Sequence, residues 1–297
     1  MGGPMAANLV KAGHEVVGFD FVPAASESAA VAGVEIAESG AAAAASADVV
    51  ITMLPSGSHV IEAYTGVNGN PGLLASARLG TLFIDSSTIA VDEARTAHDA
   101  AAVAGHRSLD APVSGGVIGA ENATLAFMVG GDEDDFATAL PILEAMGRRI
   151  VHCGGAGLGQ AAKICNNMIL GISQIAVAEA FVLGERLGLT HQALFDVASN
   201  ASGQCWALTT NCPVPGPVPT SPANNEYRPG FSGALMAKDL RLAQQAIDLT
   251  GVDAMLGTLA RGIYDEFASG VGATKDFSAI IHSIRERSSN AEPSVES

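Results

Sequence analysis

Positive charge is scarce in this sequence. Fifteen Lys and Arg stand against 31 Asp and Glu, a formal net charge of −16. A nucleic-acid partner calls for a basic face, and so few cations make one hard to build. Cysteine is scarce too: Cys153, Cys165, Cys205 and Cys212 form no CxxC pair. That disfavours a disulfide scaffold or zinc ribbon and fits reduced thiols in a cytosol. There is no H-E-x-x-H and the seven His are scattered, so no metal site is expected. No run reaches the ~18 uninterrupted apolar residues of a bilayer span. The opening residues, MGGPMAANLVKAGHE, lack the basic and then apolar regions of a signal peptide. The expectation is a cytoplasmic protein with neither a membrane nor a nucleic-acid partner.

What is present is globular: 48% hydrophobic residues over 297 positions, long enough for two domains at ~150 residues each. Glycine is plentiful, 34 residues, which implies tight turns or close backbone approach. Through residue 152, short β-rich runs (EVVGFD at 15–20, DVVITM at 48–53, TLFID at 81–85, TLAFMVGG at 124–131) alternate with Ala-rich helical stretches at 23–32, 38–46, 91–104 and 133–146. This is the pattern of βαβ units around a mostly parallel sheet. Runs apolar on both faces, such as TLFID, predict a sheet covered on both sides.

After residue 157 the strand texture ends. Ala161, Ile164, Met168, Ile172, Ile175, Ala178 and Val182 recur at spacings of three and four, predicting one long helix over 159–188. Such a helix can bridge two domains. Further helices are expected at 190–201, 232–250, 254–269 and 276–287, with a five-proline loop at 212–225 between them. The expected organisation is a dinucleotide-binding domain over 1–155, an all-α domain over 156–288 and a disordered tail over 289–297.

Several stretches carry chemistry. The N-terminus reads as the back half of a dinucleotide-binding unit, with Gly2 as the third glycine of G-x-G-x-x-G and Asp20 at the next strand end, facing the adenosine ribose. Asp20 in that place repels a 2′-phosphate and favours NAD; the plain alternative is a helix-capping surface Asp. The loops MLPSGSH (53–59) and DSSTI (85–89) follow strands, where ligands of open α/β sheets bind. Leu54 and Pro55 suit the adenine side and Thr88 the nicotinamide ribose, though all three are also ordinary turn or cap residues. In DAPVSGG (110–116), Ser114, Gly115 and Gly116 can turn donors toward a small carboxylate, or form a plain glycine turn. In GLGQAAKICNN (157–167), Lys163 and Asn167 share a helix face, beside the dry stripe. Burial penalises the charged ammonium, so such a lysine is poised to exchange a proton; a solvated surface charge is the plainer reading. ALMAKDLRLA (234–243) offers Lys238, facing cofactor or substrate, or else an idle exposed pair with Asp239.

These blocks, MGGPMAANLVKAGH, DAPVSGGVIGA, GLGQAAKICNN, NASGQCW, CPVPGPVP, PANNEY and LMAKDL, resemble the β-hydroxyacid dehydrogenases over essentially the whole chain. SGQCW, PVPG and PANN resemble the branch acting on 3-hydroxyisobutyrate. The resemblance implies an α/β Rossmann-type, doubly wound parallel sheet followed by an all-α domain, with NAD as cofactor and a homodimer or homotetramer. It implies Lys163 as catalytic lysine and Ser114, Gly115, Gly116 and Asn167 as the substrate site. Gly2, Asp20, Leu54, Pro55, His59, Thr88 and Lys238 become the cofactor contacts. The chain departs from the pattern in three ways. It begins after the family's first strand and first two glycines, and so is expected to be N-terminally truncated. His59 stands where Asn is common, and Ala123 where Gly is usual. The alternatives are a related short hydroxyacid enzyme, such as a tartronate semialdehyde reductase, and a truncated, non-catalytic relative.

Overall fold

The computed structural model describes residues 1–67, 69 and 71–290. The chain divides into two compact units, Met1–Lys163 and a second beginning at Ile164. In the first, the elements are α1 (Gly2–Lys11), β1 (Val17–Gly18), α2 (Pro23–Val31), β2 (Glu35–Ile36), α3 (Gly40–Ala44), β3 (Val49–Thr52), α4 (Gly57–Thr65), α5 (Leu73–Ser76), β4 (Leu82–Asp85), α6 (Val91–Val103), β5 (Arg107–Asp110), β6 (Val113–Ser114), α7 (Gly116–Glu121), β7 (Leu125–Gly130), α8 (Glu133–Glu144) and β8 (Gly147–Gly154).

β3, β4 and β5 run parallel. β7 is antiparallel to β5 and β6 and parallel to β8. β5 and β6 follow one register along β7, Asp110 opposite Gly130 and Val113 opposite Phe127. β1 pairs with β2 in a separate two-stranded sheet.

Alternation along β4 explains why its whole run is apolar. Leu82 and Ile84 enter one core with Met5, Leu9, Leu109, Phe127 and Leu143. Phe83 enters another with Val60, Tyr64, Ala94, Ala97 and Ala101. Each large side chain so buried contributes about 1.5–3 kcal/mol.

The turn before β7 holds Ala123, one of the departures from the resembled pattern, in a conformation that favours glycine. Ala123 has φ +53°, a left-handed conformation that costs an L-residue roughly 1–2 kcal/mol. Glycine takes it freely but loses more entropy on folding. Ala123→Gly is therefore expected to raise stability by about 0.5–1 kcal/mol. An unchanged or lowered urea midpoint would contradict this.

α9 (Leu158–Arg186) begins in the first unit and continues into the second. α10 (His191–Ala198), α11 (Trp206–Thr209), α12 (Gly233–Thr250), α13 (Met255–Ala268) and α14 (Ile280–Asn290) follow. Ile175, Ala178, Phe181 and Val182 of α9 pack with Met236, Leu240, Ala260, Tyr264, Ile280 and Ile281. α9 has no uninterrupted apolar run of spanning length, but by length and composition alone it could cross a membrane, with mean hydropathy 1.5 over an 18-residue window. Those core contacts show where much of its apolar surface goes.

The Pro-rich segment is irregular but well bonded. The Ser221 hydroxyl donates to the Cys212 carbonyl, Gly216 N–H to Asn224 Oδ1 at 2.9 Å, and Tyr227 O–H to the Pro213 carbonyl at 2.7 Å. The compact units divide after Lys163, within α9, and Gly157 and Gln160, ahead of that break, donate to Asp110 at the end of β5. Ser289 and Asn290, expected in the tail, belong to α14, and residues 291–297 lie outside the described residues.

Candidate active site

The site of the first unit is built on two buried carboxyls at the ends of adjacent strands. Asp85 and Asp110 stand opposite each other in the β4–β5 register. Asp85 Oδ1 accepts from Thr52 Oγ1 at 2.7 Å, Ser87 Oγ at 2.6 Å and Ser87 N–H at 3.2 Å. Burial pushes the Asp85 carboxyl above its ordinary value; the Ser87 and Thr52 bonds oppose this, and the charge of Asp110 adds to it. Its Oδ2 is buried with no hydrogen-bond partner among the described residues. Ser87 Oγ also accepts from Leu54 N–H at 2.8 Å. The loops after β3 and β4, carrying Leu54 and Thr88, are thereby joined.

Asp110 caps the long helix. Its Oδ1 accepts from Gly157 N–H at 2.7 Å and its Oδ2 from Gln160 N–H at 2.8 Å. Those amides would otherwise be unpaired donors of the first turn. Burial raises this carboxyl too, while the two amides pull it down. DAPVSGG and GLGQAAK, read separately in the sequence, are one hydrogen-bonded unit through Asp110. The fit is close: a Cβ on Gly159 would strike the Met128 carbonyl and lie 2.7 Å from that of Asp110.

Gln160 is fully buried. Its Nε2 donates to the Ser87 carbonyl at 2.7 Å and its Oε1 accepts from Ile89 N–H at 3.2 Å. Lys163, one turn further along α9, is only 6% exposed, so its plain reading as a solvated surface charge does not hold.

The other expected residues of this unit are placed as follows. Ser114 ends β6, half-buried, and Gly115 and Gly116 take φ +131° and +63°, open to glycine and strained for other residues. Gly2 opens α1, where its Cβ would lie 3.6 Å from that of Met53. Thr88 is half-buried and Pro55 exposed. Asp20 and His59 have local partners: Asp20 Oδ1 accepts from Val22 N–H at 2.8 Å, and His59 Nδ1 lies 2.6 Å from Ser56 Oγ at the start of α4. For Asp20 this is a local turn bond ahead of α2, whose N-cap is Val22 with no side-chain cap bond, so the helix-capping alternative is not what the side chain does.

In the second unit, Asn167 is buried, and its Nδ2 donates to Asp239 Oδ2 at 2.5 Å. Asn166 donates to Asn167 Oδ1 at 2.9 Å, which fixes the amide orientation. Lys238 Nζ lies 3.9 Å from Asp239 Oδ1. The idle exposed pair is overturned for Asp239, which is buried beneath the amide.

A dinucleotide suits the first unit. The N-cap of α1, Met1, makes no side-chain cap bond, and Gly2 and Gly3 bring no side chain to its first turn. Nothing lies within 4 Å of a Cβ built on Gly3. Bare amides at a helix start suit a pyrophosphate.

Comparison with known proteins agrees with this geometry. The family model described as the NAD binding domain of 6-phosphogluconate dehydrogenase matches residues 1–155. That described as NAD-binding of NADP-dependent 3-hydroxyisobutyrate dehydrogenase matches residues 157–284. The chain is 60% identical over 287 residues to a probable 3-hydroxyisobutyrate dehydrogenase of Mycobacterium bovis, covering 97% of this chain and 95% of that one. It is 44% identical over 286 residues to the mitochondrial 3-hydroxyisobutyrate dehydrogenase of Mus musculus, covering 96% and 84%. The solved structure of Mycobacterium tuberculosis 3-hydroxyisobutyrate dehydrogenase with L-serine superposes with TM-score 0.91 at 60% identity, covering 96% of each chain.

Proposed function

The chain belongs to the 3-hydroxyisobutyrate dehydrogenase family, and from that premise we propose that it oxidises 3-hydroxyisobutyrate to methylmalonate semialdehyde, a step of valine breakdown, with NAD as cofactor. The observation that carries this is the buried Lys163 on the first turns of α9, whose start is bonded to both strand-end loops. The cofactor supplies the hydride acceptor. Lys163 takes the proton of the substrate hydroxyl, and in reduction returns it to the forming alkoxide. Donors at Ser114, Gly115 and Gly116 hold the substrate carboxylate, and Asn167, oriented by Asp239, directs a remaining N–H at the substrate.

Gly2, Leu54, Pro55, His59, Thr88 and Lys238 serve the cofactor. One matching family model is described as NADP-dependent, but Asp20 favours NAD here. Its second carboxylate oxygen remains for the ribose hydroxyls and repels a 2′-phosphate. Exposed Leu249, Met255, Leu256 and Leu259, together with Ile169 and Leu187 of the same unit, support a homodimer or homotetramer. The four free thiols suit a cytoplasmic setting.

The test is absorbance at 340 nm with NAD and with NADP across a panel of short 3-hydroxyacids. 3-Hydroxyisobutyrate with NAD is expected to give the highest kcat/KM. A better tartronate-type substrate overturns the substrate assignment, and NADP preference overturns the role of Asp20. Light scattering that finds a monomer overturns the assembly.

A further inference from the structure

Gln160 is buried three residues before Lys163, and its side chain bonds the two residues on either side of Thr88. The amide mimics a strand partner: the Ser87 carbonyl receives its N–H and the Ile89 N–H meets its oxygen. Ser87 is held in turn by Asp85 and by Leu54 N–H, and the Gln160 backbone is held by Asp110. A continuous chain of hydrogen bonds therefore runs from the Leu54 loop through the Thr88 loop to the first turn of α9. Thr88 lies at its middle with both flanking backbone groups fixed. Three residues are just under one helical turn, so Gln160 and Lys163 share a face of α9.

We propose that Gln160 is a positioning residue: it locks the Thr88 loop to the turn of α9 that carries Lys163, and so sets the spacing between cofactor loop and proton-transfer lysine. The inference rests on the assignment of Lys163 above. A glutamine suits the task because one planar group supplies both a donor and an acceptor. Methionine keeps the length and loses both bonds. Glutamate keeps the shape but, when ionised, turns an acceptor toward the Ser87 carbonyl.

The test compares wild type, Gln160→Met, Gln160→Glu and Lys163→Ala, reading kcat, KM and residue-resolved hydrogen exchange. In wild type the Ile89 amide is expected to exchange as slowly as core amides of β4. Fast exchange there overturns the proposal whether or not any variant folds. In both Gln160 variants, exchange at 86–90 is expected to accelerate and kcat to fall about tenfold to a hundredfold, as misplaced reacting groups cause. KM for the hydroxyacid should stay within about threefold, because the Ser114 loop is untouched. Faster exchange with unchanged kcat makes Gln160 merely structural and overturns the proposal. Lys163→Ala should lose turnover with exchange at 86–90 unchanged. Wild-type turnover in that variant refutes the lysine assignment instead, leaving the exchange result to stand by itself.

Discussion

Lys163→Ala is expected to lower kcat by ~10²–10⁴ while NAD affinity stays within a few-fold. At about 1.4 kcal/mol per decade, this is ~3–5 kcal/mol of lost transition-state stabilisation. The residue is buried, so alanine also leaves a cavity, and a loss of turnover through loosened packing must be separated from a loss of proton transfer. Two further variants do this. Lys163→Met keeps the aliphatic shaft and fills the same space. Lys163→Arg keeps a cation but holds its proton at every accessible pH. If the amine exchanges a proton, all three variants lose turnover to a similar degree, although their thermal stabilities differ. Should Lys163→Met or Lys163→Arg retain wild-type kcat, proton transfer must be assigned elsewhere.

How far the sequence discloses this site depends on the range of the forces involved. β4 is legible because burial on both faces demands an unbroken apolar run, and β3 and β7, less fully buried, because their runs are apolar as well. α9 is legible because a buried stripe must repeat every three or four residues. β5 escapes, since Arg107, Ser108 and Asp110 give three polar residues in four. Asp110 is tolerated there because amides 47 and 50 positions later satisfy it. β8 escapes as well: it pairs along β7, and Arg148, Arg149 and His152 conceal the strand in a polar run. That Lys163 and Asn167 share a face of α9 is legible from helix spacing, a local rule. Gln160, Asp85 and the orientation set by Asp239 are not, because their partners are distant in sequence or their value lies in burial alone. A buried polar group has meaning only with its partner, and long-range pairing leaves no periodic trace.

The close approach of α9 to the strand ends leads to the second large effect, Gly159→Ala. A Cβ there would overlap the Met128 carbonyl and stand 2.7 Å from the Asp110 carbonyl and 2.8 Å from Asp110 Oδ2. Two of these atoms are backbone of β5 and β7, held in the sheet, and the third is the carboxylate that caps the helix. None is the free end of a flexible side chain, so the helix start must move. Moving it stretches the Gly157 and Gln160 bonds to Asp110 and carries Lys163 with it. Gly159→Ala is therefore expected to cost about 1–3 kcal/mol or more through overpacking. At ~2–4 °C per kcal/mol for a chain of this order, the melting temperature falls by several degrees. A matched substitution gives the opposite sign. Gly262 lies inside α13 with nothing within 4 Å of its Cβ position. Gly262→Ala should gain roughly 0.5–1 kcal/mol from helix propensity alone. In the folded fraction of Gly159→Ala, kcat should fall as well, because the lysine rides on the displaced turn, whereas Gly262→Ala should turn over as wild type does. If the two variants melt alike, the strand ends yield more easily than their hydrogen bonds imply, and the seating of α9 on Asp110 is not what fixes Lys163.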